Sequence, residues 1–104
     1  MKRFILHADM KPEKLDYYME LHANPWPGVV EMIKKVNLQN YSISLRGTET
    51  YTYYEYVGDD YEKDMAIMAA DPTTQLWWKE TRPCFLHHEE GWYYDDMQEI
   101  FYLE

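Results

Sequence analysis

LQNYSISLRGTETYTYYEYV, residues Leu38–Val57, is the stretch on which the fold turns. Two extended segments, Leu38–Arg46 and Thr48–Val57, meet around Gly47. In the first, Tyr41, Ile43 and Leu45 alternate with Asn40, Ser42 and Ser44. Period-two alternation broken once by glycine is the pattern of a β-hairpin. The second segment is aromatic on both sides, Tyr51 and Tyr53 against Tyr54 and Tyr56, so it is expected to be covered on both faces.

Working outward, Lys2–Asp9 reads as a strand with Phe4, Leu6 and Ala8 on one face and Arg3, Ile5 and His7 on the other. Lys11–Ala23 reads as a helix. Asp9 stands where an N-cap is expected, Pro12 and Glu13 suit the first turn, and Leu15, Tyr18, Met19 and His22 recur at helical spacing. Pro25 and Pro27 interrupt it, and Gly28–Val36 forms a second helical piece. Beyond the hairpin, Asp59 or Asp60 caps a helix that runs to Ala70, Asp71-Pro72 marks a break, and Thr73–Arg82 forms another helix. Pro83–Asp95 is expected to be a solvated loop and Met97–Leu103 a last strand. The order β-α-β-β-α-β over residues 1–104 predicts one α+β domain of ferredoxin-like type. A sheet face without helices needs cover, and a second copy of the chain, packed sheet to sheet as a dimeric α+β barrel, would supply it.

The charge balance narrows the partners. A net charge of −9 repels phosphate backbones and anionic membrane surfaces, so neither nucleic acid nor membrane is an expected partner; a small neutral ligand is. The 11 tyrosines and 4 tryptophans against 3 phenylalanines favour side chains with an apolar body and a polar tip, which suit sugar pockets and interfaces as well as cores. The lone Cys84 forms no internal disulfide, and the apolar run near the N-terminus is too short for a signal segment; a cytoplasmic location is the expectation.

Few residues carry chemistry. His22 lies four residues after Tyr18, so an imidazole and a phenol share one helix face just before the break at Asn24-Pro25-Trp26-Pro27. A histidine at a helix C-terminus also has a purely structural use, its cation facing the dipole. Trp77 and Trp78 point about 100° apart on a helix. Either one packs inward while the other lines a pocket rim, or both anchor the core. Tyr41 reads on its own as a core tyrosine with a satisfied hydroxyl. His87-His88-Glu89-Glu90 is a metal cluster in composition only, because adjacent histidines are not the i, i+4 pair of a helical zinc site; neither metal nor cofactor is expected. Cys84 lacks the positive surroundings of a reactive thiolate.

Four pieces together carry a resemblance. Tyr18-Met-Glu-Leu-His22-Ala-Asn-Pro-Trp26-Pro27, Asn40-Tyr41-Ser42-Ile43, Trp77-Trp78-Lys79 and Met97–Leu103 resemble, in order, segments of the L-rhamnose mutarotases. The resemblance implies a ferredoxin-like homodimer that interconverts the α and β anomers of L-rhamnose, or of a related 6-deoxyhexose such as L-fucose. It implies His22 as proton donor and Tyr18, Tyr41, Trp77 and Trp78 as sugar-binding residues. Pro83–Asp95 looks least like the family and leaves the preferred sugar open. Mutarotation needs only general acid–base chemistry, which a histidine near pKa 6.5 supplies at neutral pH. Two other functions suit the same scaffold: a small dimeric oxygenase with an aromatic or porphyrin ligand, and a sugar-binding module without catalysis.

Overall fold

In the computed structural model, which describes residues 1–104, the hairpin forms as expected. Strands β1 (Lys2–Asp9), β2 (Leu38–Arg46) and β3 (Glu49–Tyr56) build one antiparallel sheet in the order β1-β3-β2. Arg46 pairs with Glu49, so the turn is Gly47-Thr48, and Gly47 adopts the φ of +62° that a tight hairpin turn asks of glycine.

Ala8, Thr50, Thr52, Tyr54, Tyr56 and Leu38 are buried on one sheet face. Four helices cover that face: α1 (Leu15–Ala23), α2 (Pro27–Lys35), α3 (Tyr61–Ala70) and α4 (Pro72–Thr81). Two clusters fill the interface. Val36, Leu38, Tyr54 and Tyr56 pack with Met32, Ile33, Met65 and Met68; Ala8, Met10, Tyr18, Cys84 and Phe85 pack with Leu15 and Trp92. No helix is long and apolar enough to cross a membrane.

Several local expectations are corrected. Residues 12–14 form a 3₁₀ turn before α1, and Asp9 caps nothing; it belongs to β1. Asp60, of the two candidates, caps α3 by accepting from the Lys63 amide at 3.2 Å. Asp71 is more than a break. It caps α4 by accepting from both the amide and the hydroxyl of Thr74, each at 2.9 Å, with Pro72 at the first helical position.

The larger correction is the last strand. Met97–Leu103 has no regular secondary structure. The chain ahead of it meets the sheet edge at one backbone bridge, His7 with Tyr94, and residues 97–103 themselves reach the sheet only through side chains. Glu99 accepts two hydrogen bonds from the Arg3 guanidinium, at 2.7 and 2.8 Å, and the Arg3 guanidinium lies 3.4 Å from the Tyr102 ring centroid. A strand needs both a ladder and cover for its apolar side chains. Here Ile100, Phe101 and Leu103 remain 91%, 79% and 80% exposed. The outer sheet face is likewise open: Ile5 is 44% exposed, and Tyr51 and Tyr53 are only half-buried.

Candidate functional site

The break between α1 and α2 makes the site. Proline at 25 pushes Asn24 out of the helical region, to φ −136° and ψ 72°, and α1 stops one residue after His22. Trp26 caps α2 in extended conformation, with Pro27 at the first helical position. The chain thus turns sharply just after the imidazole.

A second device lies in β2. Gln39 pairs with Glu55 and Ser42 with Tyr53, so β2 holds one residue more than β3 between those pairs. This β-bulge at Asn40-Tyr41, with Asn40 at φ +50°, changes the phase of the strand. Leu38 and Tyr41, three residues apart, therefore face the helices together, followed by Ile43. The Tyr41 ring stacks on Tyr54, centroids 5.3 Å apart.

Between this strand and the helices lies a cavity of about 690 Å³. All five residues singled out above, Tyr18, His22, Tyr41, Trp77 and Trp78, line it. So do Asn40, Gln39, Ser42 and Thr81, while Lys34 is its one charged side chain and no carboxylate faces it. Trp77 is buried, 7% exposed, and stands edge-on to both His22 at 5.2 Å and Trp26 at 5.1 Å. Trp78 is half-buried, with Arg82 over its ring at 4.5 Å. Both tryptophans thus serve the packing and the cavity wall at once.

The imidazole is oriented. His22 Nδ1 lies 2.8 Å from the Tyr18 carbonyl oxygen. A carbonyl only accepts, so Nδ1 carries the proton and, in the neutral ring, Nε2 carries the lone pair. The Tyr18 ring packs 4.3 Å from the imidazole. Burial pushes the Tyr18 phenol well above its ordinary value and Tyr41 up to about 12, even though 40% of Tyr41's surface is open. These phenols are neutral hydrogen-bonding groups at physiological pH.

Reading the sequence missed Tyr93. The segment taken for a solvated loop is tied down by Met10–Phe85 and His7–Tyr94 bridges, and Tyr93 reaches the cavity. The run Trp92-Tyr93-Tyr94 was the available signal, since three consecutive aromatics are unusual in a solvated loop. His87, Glu89 and Glu90 are exposed as expected, whereas His88 is half-buried and stacks on Tyr94 at 3.8 Å. Cys84 is buried, and burial pushes its thiol up.

Fold and cavity together define a class: a small α+β domain holding one oriented imidazole in an aromatic pocket without carboxylates. The chain belongs to the L-rhamnose mutarotase family, whose sequence profile matches residues 3–103. It is 30% identical over 105 residues to the L-rhamnose mutarotase of Oceanobacillus iheyensis and 29% identical over 105 residues to that of Bacillus subtilis, covering 100% of each chain in both comparisons. Its fold is similar to a crystal structure of an L-rhamnose mutarotase from Formosa agariphila, with a TM-score of 0.78 at 18% identity over 100% of both chains. The fold also resembles the tetracenomycin F2 cyclase of Streptomyces glaucescens, TM-score 0.67 at 14% identity, covering 100% of this chain and 97% of that one.

Proposed function

We propose that this chain interconverts the α and β anomers of L-rhamnose, or of a related 6-deoxyhexose such as L-fucose, with His22 as the proton-transfer group and Tyr18, Tyr41, Trp77 and Trp78 around the sugar. The observation that carries the reading is the 2.8 Å bond from His22 Nδ1–H to the Tyr18 carbonyl, which leaves Nε2 as the nitrogen for the cavity. Nε2 takes the proton of the anomeric hydroxyl, C1=O1 forms, and the C1–O5 pair leaves to the ring oxygen. O1 and O5 share C1, so the imidazolium just formed donates its proton to O5. The open aldehyde turns about C1–C2, and the same steps in reverse close it on the other face. No electron leaves the substrate and the histidine ends neutral. Positioned proton transfer of this kind contributes roughly 10²–10⁴-fold. An aromatic cavity without carboxylates suits an uncharged sugar, whose C–H face packs on indole and whose hydroxyls meet Tyr, Asn and Ser groups. Exchange spectroscopy on the anomeric protons of equilibrated L-rhamnose tests this: enzyme-dependent cross-peaks are expected, and their absence for L-rhamnose and L-fucose alike overturns it.

A homodimer in a reducing, cytoplasmic setting completes the proposal. Exposed Ile5 on the uncovered sheet face, together with Ile100, Phe101 and Leu103 on the adjoining tail, supports a second copy as the cover.

A further inference from the structure

Tyr41 reaches the cavity only because β2 carries an extra residue. In an unbroken strand the inward positions after Leu38 would be Asn40, Ser42 and Ser44; the bulge makes them Tyr41, Ile43 and Leu45. The cost falls on Asn40, whose φ of +50° lies in the left-handed region that most side chains avoid. On the outer sheet face, opposite the bulge, stands Glu55 of β3. One oxygen of its carboxylate, Oε1, accepts from Asn40 Nδ2 at 2.7 Å and from Gln39 Nε2 at 3.0 Å. The other, Oε2, accepts from the Tyr53 hydroxyl at 2.7 Å. Short bonds to an ionised acceptor are strong ones. Together they hold the Glu55 carboxyl below the usual carboxylate range, the Tyr53 bond most of all. Glu55 has no ion pair to account for its presence: Arg3, its cross-strand partner on β1, is bound to Glu99. On the inner face the Tyr41 ring stacks on Tyr54, the residue between Tyr53 and Glu55, at an interplanar angle of 10°. Three consecutive residues of the central strand thus grip the bulge from both sides.

We infer that Glu55 is a positioning residue for the sugar site: its carboxylate, from the far side of the sheet, fixes the Asn40 bulge and through it the Tyr41 side chain in the cavity. This rests on the mutarotase reading, which gives Tyr41 a sugar to bind. Glu55 itself is absent from the cavity wall. Its effect therefore falls on binding rather than on the proton transfers at His22. Without the carboxylate, Asn40 and Gln39 lose their shared acceptor, the left-handed turn at Asn40 loses its support, and Tyr41 samples orientations away from the sugar.

The test is anomer exchange at varied L-rhamnose concentration for the wild type, Glu55→Ala, Glu55→Gln, Tyr41→Ala, and Tyr41→Ala combined with Glu55→Ala, each checked by thermal unfolding. Glu55→Ala is expected to raise KM about three- to tenfold, the worth of roughly one hydrogen bond at the sugar, with kcat within about twofold. Glu55→Gln keeps an oxygen for Asn40 and Gln39 and offers an amide to the Tyr53 oxygen; its KM should return to within about twofold of wild type. In the Tyr41→Ala background, where no ring is left to position, Glu55→Ala should change KM by less than about twofold. A merely structural role would add its effect in both backgrounds. Tyr53→Phe frees one carboxylate oxygen by a smaller change; it should raise KM about twofold, and serves in place of Glu55→Ala if that variant does not fold. An unchanged KM, a loss confined to kcat, or an equal KM rise with and without Tyr41 overturns the inference and leaves the mutarotase reading standing. No exchange of L-rhamnose by the wild type overturns that reading, and this one with it.

Discussion

Replacing Asp71 by alanine should destabilise the whole domain, because one oxygen of that carboxylate has two tasks. Asp71 Oδ2 accepts from the Thr74 amide and from the Thr74 hydroxyl, both at 2.9 Å. Loss of an N-cap costs about 1 kcal/mol. Thr74 is only 3% exposed, so its hydroxyl would also be left without a partner, at roughly another 1–2 kcal/mol. The sum, roughly 2–3 kcal/mol, is a large share of the roughly 5–15 kcal/mol that holds a domain folded. For a chain of this size it should lower Tm by roughly 10 °C or more. Thermal unfolding followed by circular dichroism gives the number. Asp71→Asn keeps an acceptor and should stay close to wild type. Asp71→Ala combined with Thr74→Val removes the orphaned hydroxyl and should recover about 1 kcal/mol. An Asp71→Ala protein that melts within roughly 3 °C of wild type would refute the reasoning. Since α4 carries Trp77 and Trp78, the variant should also bind sugar less well at temperatures near its Tm.

Other consequences follow from the same geometry. Trp77→Ala removes a 93% buried indole that braces both His22 and Trp26, and should cost about 3–5 kcal/mol in denaturant unfolding; Trp78→Ala should cost markedly less stability and show mainly as a raised KM. Burial holds the phenols of Tyr41 and Tyr56 up at about 12, and those of Tyr18, Tyr54 and Tyr93 are raised as well, from an ordinary 10.0. A raised folded-state pKa gives stability that is whole below pH 10 and is lost as pH rises toward 12. The urea midpoint should therefore hold steady up to about pH 10 and fall above it; a midpoint flat through pH 11.5 would contradict the desolvated placement of these rings. Light scattering should give the mass of two chains for the wild type and of one for Phe101→Lys, if the exposed tail is dimer surface.

The hairpin was legible because Gly47 separates a clear alternation from a tyrosine-rich extended run, and the helices because prolines and aspartates punctuate them. The phase change at Asn40 was written less plainly: Leu38 and Tyr41 share a face only because a bulge adds a residue, and one sequence shows no partner strand against which to count. Of the cavity-lining residues, His22 and Tyr18 were visible as an i, i+4 pair, and Trp77 and Trp78 as a pair whose two orientations could not be told apart. Tyr93 was hidden because local sequence reports turns and charges, not the long-range Met10–Phe85 and His7–Tyr94 bridges that carry the segment inward. The expected C-terminal strand fails for a related reason. Met97, Phe101 and Leu103 fall on one strand face, but Glu99 interrupts it and Ile100 lies on the other, and within one chain these apolar side chains meet nothing that would bury them.

The most direct test of the account is equilibrium exchange between the α and β anomeric protons of L-rhamnose, measured in parallel for the wild type and His22→Ala at matched, folded concentrations. The account predicts enzyme-dependent exchange that falls by roughly 10²–10⁴-fold in the variant. Equal exchange by both proteins would remove His22 from the chemistry and contradict the central claim.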